Sequence, residues 1–243
     1  MFTTIENMFS ILKKDLENDN TGRISFTLSN YEITVKQKNV VGNLIEEWIE
    51  NWLNEHDFDH IYNHSQSSPD FWMDVNDLKK GWLEIKAFNG SANFDIGNFM
   101  SYITDLTEKP WKLESKYLCI NYQMDETNGI ITIDDIWLKN VWEISSPSAK
   151  WPVKVQDKKN IIYNLRPNSW YSDRADYKPF QSLEHFLSAL DYVIKKYPAT
   201  SAKLGMNWKS KVQRAYKEYF EKEINIPFWQ DIASEYKWEE QNL

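Results

Sequence analysis

The sequence is poor in the features that mark several specialised classes of protein. Its 243 residues include one cysteine, seven glycines and eight prolines, which excludes a disulfide scaffold and a collagen-like or low-complexity chain. It also lacks an apolar run of the length that crosses a membrane. Residues 1–12 carry Glu6 and lack a cationic start, so we expect no signal peptide and a soluble, cytoplasmic protein. Cys119 lies in an apolar run, where a buried core thiol is the expected role.

Apolar and aromatic residues, in contrast, are abundant. Hydrophobic residues make up 42% of the chain, with 12 Trp, 13 Tyr and 12 Phe, which is enough for a sizeable core. Their spacing predicts strands and helices that interleave around a mixed sheet, so the expected class is α/β. Helices are predicted over 4–17, 44–53, 94–106, 186–194 and 202–222, a β-hairpin over 24–35, and strands over 118–122, 129–133, 153–155 and 161–165.

The segment that carries chemistry is a pair of apolar runs separated by a polar turn. Asp70 opens the first run, and Glu84 and Lys86 lie in the second. Because side chains alternate along a strand, Leu83 and Ile85 face the core while Glu84 and Lys86 share the opposite face. If the two runs pair as a hairpin, Asp70 lies beside Glu84. The pattern therefore predicts two carboxylates and an ammonium at one sheet edge.

This trio of side chains is what a Mg²⁺-dependent phosphodiesterase needs. Mg²⁺ prefers oxygen ligands and is usually held by one or two carboxylates plus substrate phosphate. Asp70 and Glu84 would supply the carboxylates, and the Ile85 carbonyl lies between them and Lys86. Lys86 would orient or help deprotonate the attacking water and stabilise the pentavalent transition state. The alternative is a surface hairpin with an ordinary Glu–Lys ion pair.

At these residues the chain resembles a known family. Pro69-Asp70 followed by Glu84-Ile85-Lys86 is similar to the PD-(D/E)XK nuclease signature, and the wider chain resembles type II restriction endonucleases of the NgoBV/NlaIV-like group. The resemblance implies a restriction-endonuclease-like α/β fold, a mixed β-sheet flanked by helices, with Mg²⁺ as cofactor and double-stranded DNA as substrate. It covers most of residues 40–195 and rests also on the segments 63–72, 141–144 and 162–167.

The resemblance also implies how the chain is organised and what it acts with. A homodimer would cut a short palindrome of the GGNNCC kind, and a cognate DNA methyltransferase would act on the same DNA without binding this chain. The alternatives are a catalytically inactive or non-restriction DNA-binding protein of the same fold, and a DNA repair nuclease. We expect a single endonuclease domain over 1–243, with 1–40 as a candidate dimerisation element, 41–200 as the catalytic and DNA-recognition core, and 201–243 as a C-terminal helix and tail.

A glutamate from the helix before the core sheet is expected near the metal. PD-(D/E)XK folds commonly place one there, often a few residues after a glycine. Glu46, four residues after Gly42, is the predicted residue, with Glu47 second and Glu50 also open. For at least two of the three, the expected role is only a solvated acidic face.

Two loops are expected to contact DNA. One follows the Glu-x-Lys strand, and the other follows Pro167, which ends a predicted strand. The second loop is polar, aromatic and basic, which favours readout of base edges over readout of shape alone. The predicted contacts are Asn89, Gly90, Ser91, Asn93, Asn164, Arg166, Asn168, Ser169, Trp170, Arg174 and Lys178, with Arg166 and Lys178 closer to phosphate.

The net charge of −8 does not exclude DNA binding, because the charge is unevenly distributed. Residues 41–60 carry six acids and no Lys or Arg, whereas residues 150–178 carry seven bases against three acids. Residues 192–217 carry seven bases and no acid. This asymmetry suits a C-terminal half that faces phosphate, although solvated helix faces give the same pattern.

Three histidines could be mistaken for a zinc site. His56, His60 and His64 recur every four residues, but the polar surroundings make a long helix improbable there. No cysteine or helical His-Glu-x-x-His frame accompanies them. We therefore expect surface or loop residues and no zinc.

Overall fold

The computed structural model describes residues 4–65, 67–159, 161–197, 199, 204 and 207–240. The chain forms two compact units. Unit 1 consists of Met1–Ala92 and Ser115–Lys139, and unit 2 of Asn93–Glu114 and Asn140–Leu243. Each unit has its own sheet and helices, so each is described separately.

The elements of the two units alternate along the chain. Unit 1 contains α1 (Ile5–Asn18), β1 (Thr21–Arg23), β2 (Ser25–Leu28), β3 (Tyr31–Thr34), α2 (Val41–Glu55), β4 (Ile61–Tyr62), β5 (Phe71–Trp72), β6 (Trp82–Asn89), β8 (Lys116–Asp125) and β9 (Ile130–Asn140). Unit 2 contains β7 (Gly97–Asn98), α3 (Phe99–Glu108), β10 (Val155–Lys158), β11 (Ile161–Leu165), α4 (Leu183–Lys196), α5 (Trp208–Phe220) and α6 (Trp229–Ile232).

The main sheet of unit 1 has the strand order β1-β9-β8-β6-β5-β4. Strands β6 and β8 pair in parallel, while β5 pairs antiparallel with both β6 and β4. The sheet is therefore mixed, as the sequence predicts. A parallel pair cannot be joined by a tight turn, and the chain makes the longer connection from β6 to β8 through β7 and α3.

Helix α2 contributes to the same core as the apolar residues of β6, Leu83 and Ile85. Its buried residues Ile45, Ile49 and Leu53 recur every four positions and form one face of the helix. Full burial of an aliphatic side chain of this size contributes roughly 1.5–3 kcal/mol. The core thus takes one set of alternate β6 side chains, and the other set is left for the opposite face.

Cys119 of β8 is fully buried in unit 1. Burial raises the pKa of its thiol, so the side chain stays neutral. The expectation of a core cysteine is confirmed.

Unit 2 combines α3, α4, α5 and α6 with a three-stranded sheet in the order β10-β11-β7. Trp208 of α5 is buried and donates from Nε1 to the carbonyl of Ile103 in α3, at 2.7 Å. The aromatic tail is also packed in this unit, since the rings of Trp229 and Tyr236 stack and Tyr236 meets Phe180 edge-on. No helix in the described part of the chain is long and apolar enough to span a membrane.

Several predicted element boundaries were wrong. The helix predicted from residue 94 begins at Phe99, because Gly97 and Asn98 instead pair with β11. The Asn98 side chain also caps this helix by accepting a hydrogen bond from Ser101 N at 3.1 Å. The strand predicted at 153–155 is β10 at 155–158, and the segment 129–133 belongs to the longer β9. A helix is also predicted over 202–222, but residues 202, 203, 205 and 206 lie outside the described residues.

Candidate active site

The two runs that carry the predicted catalytic residues do form an antiparallel hairpin, β5–β6, in unit 1. Phe71 pairs with Leu83, and Met73 N donates to Gly81 O at 2.8 Å at the turn end. Gly81 has a φ of +62°, and a Cβ there would lie 2.7 Å from the nitrogen of Asp74. Only glycine fits this backbone without strain, so the turn sets the register of the hairpin.

That register brings Asp70 against the second strand. Asp70 Oδ2 accepts a hydrogen bond from the main-chain nitrogen of Ile85 at 2.6 Å. The carbonyl of Asp70 accepts a second one from Asn63 N at 2.8 Å. Hydrogen bonds to both its side chain and its main chain therefore hold Asp70 in place, next to Glu84 of the adjacent strand.

Glu84 and Lys86 form an ion pair on β6. Lys86 Nζ lies 2.7 Å from Glu84 Oε1, as expected for residues i and i+2 on one face of a strand. Glu84 is only 6% exposed. Its other oxygen, Oε2, is buried and accepts no hydrogen bond from the residues that the structure describes. Burying a carboxylate oxygen without a hydrogen-bond donor costs free energy, unless a cation or another donor binds to it.

The charges of the site shift its pKa values. Burial, together with the neighbouring Glu84 carboxylate, raises the pKa of Asp70 to about 7, although Lys86 and the Ile85 N–H oppose the shift. Burial on its own would lower the pKa of Lys86, but the carboxylates of Glu84 and Asp70 raise it. The site thus holds a surplus of negative charge that a cation would neutralise.

The residues present fit a small oxygen-seeking cation. Glu84 Oε2 is free to bind one, and Asp70 lies beside it. Ile85 takes part in the site through its N–H, and the ligand role of its carbonyl stays a prediction. In the described part of the chain no group of three His, Cys, Asp or Glu side chains could hold a metal. Two carboxylates are nevertheless enough for Mg²⁺, which takes its remaining ligands from phosphate and water.

Of the three helix glutamates, Glu46 is the one whose charge shifts pKa values at this site. Its charge acts on both Asp70 and Lys86, and its Oε1 accepts a hydrogen bond from Tyr62 Oη at 3.0 Å. Glu47 is exposed. The sequence offered no signal for Tyr62, because a lone tyrosine in a two-residue strand has no pattern that distinguishes it.

The predicted DNA contacts directly after β6 are at the surface. Strand β6 extends to Asn89, which was expected in the loop. Asn89, Gly90, Ser91 and Asn93 are all exposed. Gly90 has a φ of +73° and donates from its nitrogen to Asn121 Oδ1 at 3.0 Å, which ends the strand in a tight turn.

Three predicted contacts in unit 2 are already engaged within that unit. Arg166 pairs through Nε with Asp95 Oδ1 at 3.0 Å and donates from Nη1 to the carbonyl of Asn93. Asn164 Nδ2 donates to Gln156 Oε1 at 3.1 Å. Asn168 is 3% exposed, and its main-chain nitrogen donates to Ile144 O at 2.8 Å. In this conformation Asn168 does not reach the surface.

The rest of that loop is more accessible. Arg174 and Lys178 are exposed, and Ser169 is half-buried. Trp170 is also half-buried, and its ring packs edge-on against that of Phe94 with centroids 6.3 Å apart. Arg174 and Lys178 are therefore the cations of this loop that extend into solvent.

The histidines behave as surface and loop residues. His56 and His64 are exposed and His60 is half-buried. His56 Nε2 lies 3.1 Å from Asp15 Oδ2, and the His60 ring meets Phe71 edge-on.

The sequence is similar to a family model and to two restriction enzymes. Residues 2–236 match the family model described as NgoBV restriction endonuclease. The chain is 40% identical over 221 residues to "Type II restriction enzyme NlaIV" of Neisseria lactamica, covering 89% of this chain and 90% of that protein. It is 39% identical over 142 residues to "Type II restriction enzyme NgoBV" of Neisseria gonorrhoeae, covering 57% of this chain and 79% of that protein.

The fold is similar to that of a solved structure. The NlaIV restriction endonuclease superposes with a TM-score of 0.91 at 36% sequence identity, covering 97% of each chain. The expected restriction-endonuclease-like α/β fold is thereby confirmed.

Proposed function

We propose, from the premise that this chain belongs to the NgoBV restriction endonuclease family, that Asp70, Glu84 and Lys86 form the centre at which it hydrolyses DNA with Mg²⁺. As a type II restriction endonuclease, the protein acts on double-stranded DNA at a specific site. The main support for this centre is the hydrogen bond from Ile85 N to Asp70, which brings a second carboxylate beside the buried Glu84.

The donor atoms suit Mg²⁺. Restriction endonucleases generally depend on a metal ion. Asp70 and the free Oε2 of Glu84 would be the protein ligands, with the Ile85 carbonyl as a third. Bound there, Mg²⁺ would polarise the phosphate and lower the pKa of a coordinated water.

Lys86 supplies the positive charge of the centre. The carboxylates of Glu84 and Asp70 raise the pKa of Lys86 in the metal-free protein. As an ammonium, Lys86 would donate hydrogen bonds that orient the attacking water and stabilise charge on the phosphate oxygens. With Mg²⁺ on the two carboxylates their effect on this pKa would be offset, and Lys86 would then also be able to help deprotonate the water.

The exposed residues of the two loops are the candidates for DNA contact. We assign Arg174 to base readout and Lys178 to phosphate, since both side chains extend into solvent. Ser169 and Trp170 lie in the same loop as Arg174. Asn89, Gly90, Ser91 and Asn93 follow the catalytic strand and suit the DNA backbone, whereas Asn164, Arg166 and Asn168 shape unit 2 through the contacts described above.

A homodimer would let the enzyme cut both strands. The chain carries one copy of Asp70, Glu84 and Lys86, and a double-strand break at a palindrome needs two such centres related by a two-fold axis. We propose a short palindrome of the GGNNCC kind as the site. The enzyme would act in the cytoplasm, where a cognate methyltransferase protects the same DNA without binding this chain.

The β2–β3 hairpin provides a surface for that dimer. Phe26 pairs with Ile33 and Leu28 with Tyr31, which puts four apolar side chains on one face, all more than half exposed. The base of the hairpin is fixed, since Lys36 Nζ donates to Thr127 O at 2.5 Å. An uncharged face of this kind suits a second copy of itself and not a phosphate backbone.

One digest tests the activity. Plasmid DNA of known sequence is incubated with Mg²⁺ and the wild-type or Asp70→Ala protein, and the fragment ends are sequenced. Cleavage at one recurring palindrome by the wild type alone supports the proposal. Specific binding without cleavage would indicate an inactive DNA-binding protein, and cleavage governed by DNA structure and not by sequence would indicate a repair nuclease.

A further inference from the structure

We propose that Tyr62 is a positioning residue that holds Glu46 at the metal centre; this inference rests on the function proposed above. Tyr62 belongs to β4, an edge strand of the main sheet. No pattern in the sequence connects it with the proposed catalytic residues. Its hydroxyl donates to Glu46 Oε1 at 3.0 Å. The bond joins the helix α2 to the sheet at the level of the candidate site.

The ring of Tyr62 is held by its neighbours, so the hydroxyl has a defined position. Tyr62 pairs with Phe71, the residue directly after Asp70, and the two rings stack with centroids 5.0 Å apart. His64 meets the Tyr62 ring edge-on at 4.7 Å. A ring packed in this way loses little further freedom when its hydroxyl forms a hydrogen bond.

The residue after Tyr62 holds the other carboxylate. Asn63 N donates to the carbonyl of Asp70 at 2.8 Å, and Asn63 Nδ2 donates to the carbonyl of Pro69 at 2.8 Å. Two consecutive residues of one strand end therefore position Glu46 and Asp70. Such secondary contacts orient the groups that bind a metal.

Glu46 lies among other charged groups. The charge of Asp70 repels its carboxylate and that of Lys86 attracts it. Glu46 is only half-buried on its helix, so without a fixed donor its carboxylate would be free to turn to solvent. Burial and the Glu46 carboxylate raise the pKa of Tyr62 to about 12, so the hydroxyl keeps its proton and remains the donor.

Tyr62→Phe isolates the hydroxyl, because the ring and its stacking on Phe71 are retained. We expect the Mg²⁺ concentration that gives half the maximal cleavage rate to rise roughly 10-fold, with a smaller change in the rate at saturating Mg²⁺. A second readout does not depend on cleavage: Mg²⁺ added to the DNA-free protein should raise its unfolding midpoint. Tyr62→Phe should need about 10-fold more Mg²⁺ than the wild type to reach the same rise. Tyr163→Phe, at a partly exposed tyrosine of β11, is the matched control and should match the wild type in both measurements.

A double-mutant cycle with Glu46→Gln assigns the effect to its target. If Tyr62 acts through Glu46, the two substitutions together should cost little more than Glu46→Gln alone. Additive losses, or an unchanged Mg²⁺ dependence in Tyr62→Phe, would overturn the inference. A wild-type rate in Asp70→Ala would instead overturn the proposed centre itself, so the two failures are distinct.

Discussion

Asp70 and Ile85 are joined by a 2.6 Å hydrogen bond from the main-chain nitrogen of Ile85 to Asp70 Oδ2. This contact determines the geometry of the candidate centre, because it fixes a carboxylate from one strand beside the Glu84 carboxylate of the next. When Asp70 is ionised this hydrogen bond is charge-assisted, and such bonds are short and strong. The consequences are testable at the level of single side chains.

Removing either carboxylate should abolish cleavage without abolishing DNA binding. Asp70→Ala and Glu84→Ala each remove a proposed metal ligand and leave the loops proposed to contact bases unchanged. The checks are plasmid cleavage in Mg²⁺ and binding of cognate DNA in Ca²⁺, with exposed Asp59→Ala as the control. Cleavage at the wild-type rate by Asp70→Ala would mean that the active site lies elsewhere.

Lys86→Ala should lower the rate at saturating Mg²⁺ by about 100-fold or more, because it removes the group to which we assign orientation of the water and stabilisation of the phosphate charge. Affinity for DNA should change little. Single-turnover cleavage and a binding titration separate the two effects. Exposed Lys13→Ala is the matched control, and an unaltered rate in Lys86→Ala would remove Lys86 from the mechanism.

The raised pKa of Asp70 predicts a pH dependence of stability in the metal-free protein. Burial and Glu84 raise this pKa to about 7, against about 4 in an unfolded chain. A carboxyl shifted upwards on folding contributes stability that is present below its unfolded pKa and is lost as the pH rises through the folded value. Asp70→Asn should therefore raise the unfolding midpoint at pH 8 and change it little at pH 4.5. Circular dichroism melts in EDTA test this, and a pH-independent effect would contradict it.

Arg174→Ala should weaken binding to the cognate site far more than binding to unrelated DNA. A bidentate contact with guanine is worth about 1–3 kcal/mol of discrimination, which corresponds to roughly 5- to 150-fold in affinity. Titrations of cognate and non-cognate duplexes at one salt concentration measure the difference, with exposed Arg214→Ala as the control. Equal weakening on both duplexes would reassign Arg174 to the backbone.

Leu28→Lys should dissociate the proposed dimer, because it places a charge in the apolar face of the β2–β3 hairpin. Thr27→Lys puts the same charge on the opposite face, beside Glu32, and should leave the dimer intact. Sedimentation of the 29.0 kDa chain with and without cognate DNA measures the assembly. A wild-type protein that is monomeric in both states and nicks one strand at a time would exclude the dimer.

Local patterns were sufficient for much of the fold. The alternation of residues 83–86 predicted which β6 side chains enter the core, and Leu83 and Ile85 are buried there. The spacing of apolar residues in α2 predicted its buried face. Both depend on the geometry of a single element, which neighbouring residues determine. The helix predicted over 94–106 is present, but its predicted start was wrong. Gly97 and Asn98 instead pair with a strand more than 60 residues further along the chain, which the pattern within the helix does not contain.

What the sequence by itself determined about this protein is its family and the residues of its candidate centre, since Asp70, Glu84 and Lys86 follow from a strand, a turn and a strand. Only the tertiary structure distinguishes the helix glutamates from one another. Glu46 is the one that accepts a hydrogen bond from Tyr62, 16 residues further along the chain, and it is the glutamate that we propose for the centre. The surroundings of Arg166 were likewise decided by tertiary structure, since its guanidinium forms an ion pair with Asp95 within unit 2. The physical reason is that a side chain's partners depend on packing between elements distant in sequence, and the pattern within one element does not contain that information.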